Sequence, residues 1–338
     1  MRARCWILIC FFCTTGLLRA QQLLPDSMAA LEKSYRREDT TRIRILTDLA
    51  RSLYSQDPAR GVEYAEEGIR LAEKLNADRL LAGAYSAKAT NSMALAANPA
   101  AMEFYQKALA INERIGNKQG VANNYNNIGL VYYYTFNYPQ ALEYYQKTLS
   151  INEQTGNSPG ITNALGNLAN VYNDLGDYQK AIEFYEKARR YCEQSQNLQA
   201  LSGILVNIGN AYTQLKEYPR ALQYKQKALE ISRQLGNQAR IANNLSNIGN
   251  VFTQIADYPR ALEYHREALH INETLKDRKG IAANLAGIGT VYMRQKDYDQ
   301  ALEYVRDARD LAGELDLRST QSETLLNLSE IYEALGLY

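Results

Sequence analysis

The feature that most constrains this chain is a motif that returns every forty residues. In five successive places, a tyrosine is followed three residues later by Ala-Leu or Ala-Ile. A fixed period of this size means that each unit packs mainly against its neighbours, so we expect a stack of similar units without a single deep pocket. The five motifs begin at Tyr138, Tyr178, Tyr218, Tyr258 and Tyr298.

The forty-residue frame extends over nearly the whole chain. It predicts seven repeat units over 41–320, preceded by an N-terminal helix over 21–40 and followed by a capping helix over 321–338. In the capping helix we expect Leu325, like Leu328 and Tyr332, to lie on the packing side. The alternative is a truncated array, because the chain stops where another second helix would begin.

Within a unit, the apolar residues fall at helical spacing in two segments. Tyr125, Ile128 and Tyr132 share one face of a first helix, and Ala141 and Tyr145 share one face of a second. Proline suits the first turn of the second helix, where its missing N–H has no partner, and glycine suits the left-handed turn that ends it. These residues are Pro139, Pro219 and Pro259, and Gly116, Gly156 and Gly236. Glycine also recurs inside the first helix, which predicts a close approach to the second helix, at Gly129, Gly209, Gly249 and Gly289.

This pattern resembles the tetratricopeptide repeat, a helix-turn-helix unit, and the resemblance covers roughly residues 41–335. It implies an all-α fold, an α-solenoid in which the units stack into a right-handed superhelix. The period is forty residues where the family has about thirty-four, so we expect longer helices. The residues that carry the resemblance are Tyr125, Ile128, Gly129, Tyr132, Ala141 and Tyr145.

Charge and composition disfavour several classes of function. The chain has 38 basic and 37 acidic side chains, so no overall field would draw it to nucleic acid. It contains no glycine-rich phosphate loop, no zinc-spaced cluster and no nucleophile–base pair or paired carboxylates. We therefore expect no cofactor, no metal and no enzymatic activity. The two histidines, His265 and His270, are expected at the surface.

Residues 1–20 differ in kind from the repeats. Two arginines precede an apolar stretch over 5–18, which is too short for an ordinary membrane-spanning helix but suits a secretory signal peptide. We expect cleavage before Gln21 and an exported chain, periplasmic or secreted, in a bacterium. An uncleaved anchor would be the only link to a membrane. A lipoprotein is less expected, because Ile9, rather than a small residue, precedes Cys10.

The side of the first helix that faces away from the packing stripe is rich in asparagine. Stacked units would align these side chains into a ladder of carboxamides along the inner, concave surface. Because an amide both donates and accepts hydrogen bonds, the ladder could bind the backbone of an extended peptide with little dependence on its sequence. The predicted peptide-binding residues are Asn123, Asn127, Asn163, Asn167, Asn170, Asn207, Asn210, Asn243, Asn247 and Asn250.

Two interpretations of these asparagines stay open. The resemblance implies that many of them serve hydrogen bonds between helices, because asparagine is common at those positions of the family. Asn123, Asn163 and Asn243 are less expected there and favour a binding face. We therefore predict an exported scaffold that binds a protein or peptide. The alternative is the sensory input region of a bacterial signalling protein of the histidine kinase or cyclase type.

Overall fold

A computed structural model describes residues 34, 35 and 37–336, and these residues are helical almost throughout. The predicted signal peptide over 1–20 lies outside the described residues, as does nearly all of the helix predicted over 21–40. Fifteen helices of 13 to 18 residues lie wholly within the described part, which contains no strand. They are α1 Thr40–Ser52, α2 Pro58–Lys74, α3 Asp78–Ala94, α4 Asn98–Arg114, α5 Lys118–Tyr134, α6 Tyr138–Thr155, α7 Ser158–Asp174, α8 Tyr178–Gln194, α9 Leu198–Gln214, α10 Tyr218–Gln234, α11 Gln238–Gln254, α12 Tyr258–Leu275, α13 Arg278–Gln295, α14 Tyr298–Glu314 and α15 Arg318–Leu335.

The helices alternate between the two segments of the repeat. Odd-numbered helices are the first helices and even-numbered helices are the second helices, which confirms an all-α fold of two helices per unit. The described residues divide into two compact units, which meet between Asn157 and Ser158; the second is called the unit Ser158–Tyr338. Within each unit, consecutive helices pack against each other as in a tetratricopeptide solenoid.

The helix ends follow the predicted signals. Pro139 lies in the first turn of α6, and Gly156 ends this helix with a left-handed φ of 65°. Aspartate and asparagine cap other helices, as when the side chain of Asp177 accepts a hydrogen bond from the backbone N–H of Lys180 at 3.1 Å. The same left-handed turn also occurs without glycine, at Phe136 among others. The left-handed turn at the ends of these helices therefore does not require glycine.

The glycines of the first helices do make room for the second helices. A Cβ added to Gly129 would lie 2.8 Å from a ring carbon of Tyr145, and one added to Gly289 would lie 2.5 Å from Cγ2 of Val305. Both distances are shorter than a van der Waals contact. The motif alanines beside them on the second helices are completely buried, as at Ala141. This confirms the predicted close approach of the two helices in a unit.

In five of the repeats, a stacked pair of aromatic rings packs the first helix against the second. The first ring lies near the end of the first helix and the second lies on the second helix, with ring centroids 5.4–5.6 Å apart. Such pairs add roughly 0.5–1.5 kcal/mol beyond the area that they bury. The pairs are Tyr132–Tyr144, Tyr172–Phe184, Tyr212–Tyr224, Phe252–Tyr264 and Tyr292–Tyr304.

The last described helix, α15, departs from the prediction at one position. Leu328 is buried and Tyr332 is half-buried, as expected, but Leu325 is 57% exposed. In earlier units a second helix covers the corresponding residue, as at Leu205, which is 3% exposed. The placement of Leu325 on the packing side was therefore wrong, because α15 has no such partner among the described residues.

We expect Gly289→Ala to destabilise the protein, because its methyl group would overlap Val305. The free energy of unfolding should fall by roughly 1–3 kcal/mol. Gly203→Ala, inside α9, is the matched control, because a Cβ there meets nothing within 4 Å. It should gain roughly 0.5–1 kcal/mol from helix propensity. Denaturant unfolding measures both variants, and equal effects would contradict the close-approach interpretation.

Candidate functional site

Eight of the predicted asparagines lie on three successive first helices of the unit Ser158–Tyr338. They project from α7, α9 and α11, and each is exposed or half-buried. We call this group the asparagine surface. Its members are Asn163, Asn167, Asn170, Asn207, Asn210, Asn243, Asn247 and Asn250. The other two predicted residues lie on α5 of the first unit, where Asn123 is exposed and Asn127 is half-buried.

Four of the ten predicted residues use their amide within the protein. Asn123 accepts a hydrogen bond from Gln119 at 3.0 Å, and Asn127 accepts one from Asn126 at 3.3 Å. On the asparagine surface, Oδ1 of Asn170 accepts from the hydroxyl of Tyr185 at 2.5 Å. Oδ1 of Asn210 accepts from the ammonium group of Lys225. The bonds of Asn170 and Asn210 join a first helix to a second helix, as the structural interpretation expects, whereas those of Asn123 and Asn127 stay within α5.

Five other asparagines keep their amides unused by the described residues. Their side chains form no hydrogen bond with any other described residue, and they are distributed over all three helices of the asparagine surface. Each offers two N–H donors and one carbonyl acceptor to a ligand. These residues are Asn163, Asn207, Asn243, Asn247 and Asn250.

A second set of asparagines is buried and holds the repeats together. Nδ2 of Asn244 donates to the hydroxyl of Ser232 at 2.9 Å and to the carbonyl of Ala228 at 3.2 Å. Oδ1 of Asn284 accepts from the hydroxyl of Ser246 at 2.6 Å, which joins the first helices α11 and α13. The exposed Asn243 and the buried Asn244 are neighbours in sequence and lie about 100° apart on the helix. One helical step therefore separates an exposed asparagine from a buried one.

Two ionisable side chains lie directly below the asparagine surface, and their burial was not predicted from the sequence. Lys225 and His265 occupy the second-helix position that holds a buried tyrosine in earlier repeats, such as Tyr185. Each is only 2% exposed. The surface placement expected for His265 was therefore wrong, because its position in the repeat directs it into the core, whereas His270 is exposed.

Burial shifts the pKa values of both side chains. It lowers the pKa of Lys225 to about 8, so the buried amine is still mostly charged at neutral pH. It lowers the pKa of His265 to about 4, a shift that the nearby Asn284 side chain partly offsets. Neither ring nitrogen of His265 has a hydrogen-bond partner within bonding distance. His265 is therefore a neutral core residue at physiological pH.

The described residues contain neither a cluster of metal ligands nor a membrane-spanning helix. No three histidine, cysteine, aspartate or glutamate side chains are grouped closely enough to hold a metal ion in the described part of the chain. Within residues 34–336, leaving out the undescribed residue 36, no helix combines the length and the apolar character needed to cross a membrane.

Comparison with known proteins identifies the repeat. The sequence profile of the tetratricopeptide repeat matches residues 80–154, 121–194 and 200–274, which together cover more than half of the chain. This confirms the resemblance that the spacing indicated. No curated protein sequence matches the chain.

Solved structures share the fold at low sequence identity. The apo form of RapI has a TM-score of 0.70 at 18% identity, over 96% of this chain and 85% of its own. A STAND signal transduction ATPase with a tetratricopeptide repeat sensor, from Pyrococcus horikoshii, has a TM-score of 0.63 at 19% identity, over 83% of this chain and 46% of its own. A Rap protein complexed with Competence and Sporulation Factor has a TM-score of 0.56 at 13% identity, over 92% and 94%. At these identities the likeness shows the fold alone.

We expect the neutral, buried His265 to make stability depend on pH. The unfolded chain binds a proton at this residue below pH 6.5, whereas the folded chain does so only near pH 4. Stability should therefore fall as the pH falls through this window, by roughly 1.4 kcal/mol for each pH unit. His265→Tyr should remove this contribution, because tyrosine fits the same position beside Gly129.

Chemical unfolding of the wild type and the variant between pH 7 and pH 4 measures the difference in slope. Carboxylates also titrate there, so only the difference between the two proteins is informative. His270→Tyr is the control and should keep the wild-type slope, since His270 is exposed. Parallel curves for the wild type and His265→Tyr would show that His265 binds its proton at the same pH in the folded and unfolded chains, and would contradict the lowered pKa.

Proposed function

The chain belongs to the tetratricopeptide repeat family, and on this basis we propose that it is a non-enzymatic scaffold that binds an extended peptide or protein segment. The proposed binding site is the asparagine surface of the unit Ser158–Tyr338. The proposal takes one partner of peptide character and requires no cofactor.

One observation carries this proposal: five exposed or half-buried asparagines on successive first helices have no partner for their amides among the described residues. A row of amides can pair with the N–H and C=O groups that an extended peptide leaves open. All eight members of the asparagine surface are amides, so the hydrogen bonds that they offer can be made to the peptide backbone whatever the peptide sequence. Asn244 and Asn284 hold one of these helices, α11, from the buried side.

The structural relatives are consistent with protein binding. A Rap protein with this fold was crystallised in complex with Competence and Sporulation Factor. This complex supports the proposal that the present chain also binds a protein or peptide.

We further propose that the protein is exported, because residues 1–20 have the composition of a secretory signal peptide. Recovered from the periplasm or the medium of a bacterial host, the mature chain should begin at Gln21. Intact mass spectrometry measures this directly. A recovered chain that retains residues 1–20 would instead indicate an uncleaved membrane anchor.

A second candidate function is the sensory input region of a signalling protein. The observation that favours it is the similarity to the tetratricopeptide repeat sensor of the Pyrococcus horikoshii ATPase, of whose length the match covers 46%. The encoding DNA beyond Tyr338 separates the two candidates. Continuation in frame into a membrane helix or a signalling domain would favour the sensor.

Replacing both Asn163 and Asn243 by alanine should weaken binding without unfolding the protein. The probe is a peptide selected on the wild-type protein from a displayed random library. Each lost amide removes hydrogen bonds of about 1 kcal/mol, so affinity should fall roughly fivefold per residue. The melting temperature should stay close to that of the wild type, because both side chains are exposed and unpaired in the described structure.

The matched control is Asn244→Ala, which changes the residue next to Asn243 but on the buried side. Its loss strands the partners of a buried amide and should lower the free energy of unfolding by roughly 1–3 kcal/mol. An unchanged affinity of the double variant would exclude Asn163 and Asn243 from the binding site. A melting temperature as low as that of Asn244→Ala would make them structural residues.

A further inference from the structure

Lys225 is a buried cation without an anionic partner. The residue is 2% exposed, and its side chain extends beneath α9, where its Cγ would lie 2.7 Å from a Cβ added to Gly209. Its ammonium group reaches Oδ1 of Asn210, a member of the asparagine surface. Among the described residues Lys225 forms no ion pair, and burial is the cause of its lowered pKa.

This arrangement is costly for the folded protein. A buried charge is tolerated when it is paired or well hydrogen-bonded, and Asn210 satisfies only one of the three N–H groups of the ammonium. In the preceding repeat an uncharged side chain makes the equivalent hydrogen bond, because the hydroxyl of Tyr185 donates to Oδ1 of Asn170. Lys225 therefore places a charged group at a position where the preceding repeat has an uncharged tyrosine.

The side chains directly around the ammonium group do not neutralise it. The asparagines above it are uncharged, and His265, at the equivalent position one repeat later, is neutral at physiological pH. Because folding has already removed water from the ammonium, an incoming anion need not desolvate it again. Such a preformed cation can bind an anion more strongly than an exposed lysine can.

We propose that Lys225 and Asn210 form a specificity site that binds the carboxylate of an aspartate or glutamate side chain within the bound peptide. This inference rests on the proposed function. The unpaired asparagines lie on both sides of Lys225 along the stack of repeats, with Asn163 on α7 and Asn247 on α11. A peptide bound to both groups continues past Lys225 in each direction, which places an internal side chain there and not the C-terminus.

Peptides selected on the full chain from a displayed random library test the proposal. We expect the selected sequences to share one acidic position with neutral residues on either side. Changing that residue from Glu to Gln, or from Asp to Asn, should weaken binding roughly ten- to a hundredfold, as expected for a hydrogen bond to a charged group. Amidating the C-terminus should leave the affinity unchanged. A loss on amidation would assign the anion to the C-terminus and overturn the internal site.

Lys225→Tyr is the matched protein variant, because tyrosine already fills this position at Tyr145 beside Gly129. Lys225→Tyr should fold. It should bind the acidic peptide only as weakly as the wild type binds the peptide with Gln or Asn at that position. It should therefore have the same affinity for both peptides. The control Lys227→Met removes the same charge from an exposed residue and should keep the wild-type preference. The peptide substitution leaves the protein unaltered, so the test stands even if Lys225→Tyr folds poorly.

The outcomes separate the two proposals. Peptides that bind tightly with no acidic position, or equally well before and after the change to Gln or Asn, would overturn the role of Lys225 and leave the scaffold function intact. Failure to select any peptide on the wild-type protein would overturn the proposed function, and with it the site at Lys225.

Discussion

In most repeats, the contact between a small residue on the first helix and a side chain sixteen residues later on the second helix sets how closely the two helices pack. Gly129 against Tyr145, Gly209 against Lys225 and Gly289 against Val305 are three versions of it. Because the small residue lets the two helices approach, the motif alanines become fully buried and the aromatic pairs can stack. The same contact determines what lies immediately below the asparagine surface.

The repeat thereby places buried and exposed amides on different faces of the same helix. Asn244 is buried and bonds to α10, while its neighbour Asn243 is exposed and unpaired in the described structure. Neither amide can take over the role of the other, since one helical step turns the side chain by about 100°. Exposed amides above a buried, hydrogen-bonded side suit the proposed binding role, and the ammonium group of Lys225 lies at the boundary between the two.

The period, the two helices of each unit and their turns could be predicted from the sequence because they depend on local spacing. The burial of His265 was missed because histidine was judged by its polarity, although it occupies the repeat position of Tyr145 and Tyr185 and contacts Gly249. For Leu325 the error was the reverse, because its apolar spacing predicted burial whereas the side chain is exposed. Spacing alone does not show whether a second helix covers a residue. Helical periodicity also placed Asn170 and Asn210 on the correct side of the helix, but their bonds to second-helix side chains require the three-dimensional pairing.

The binding role of the asparagine surface is tested most directly by NMR of the side-chain amide groups in protein labelled with ¹⁵N at asparagine. A selected peptide is added, and the NH₂ resonances are assigned by single substitutions. We expect the signals of Asn163, Asn243 and Asn247 to shift, because these amides would form the hydrogen bonds to the peptide backbone. The buried Asn244 should keep its position. Shifts confined to other asparagines, with these three unchanged in the saturated complex, would contradict the assignment of this surface as the binding site.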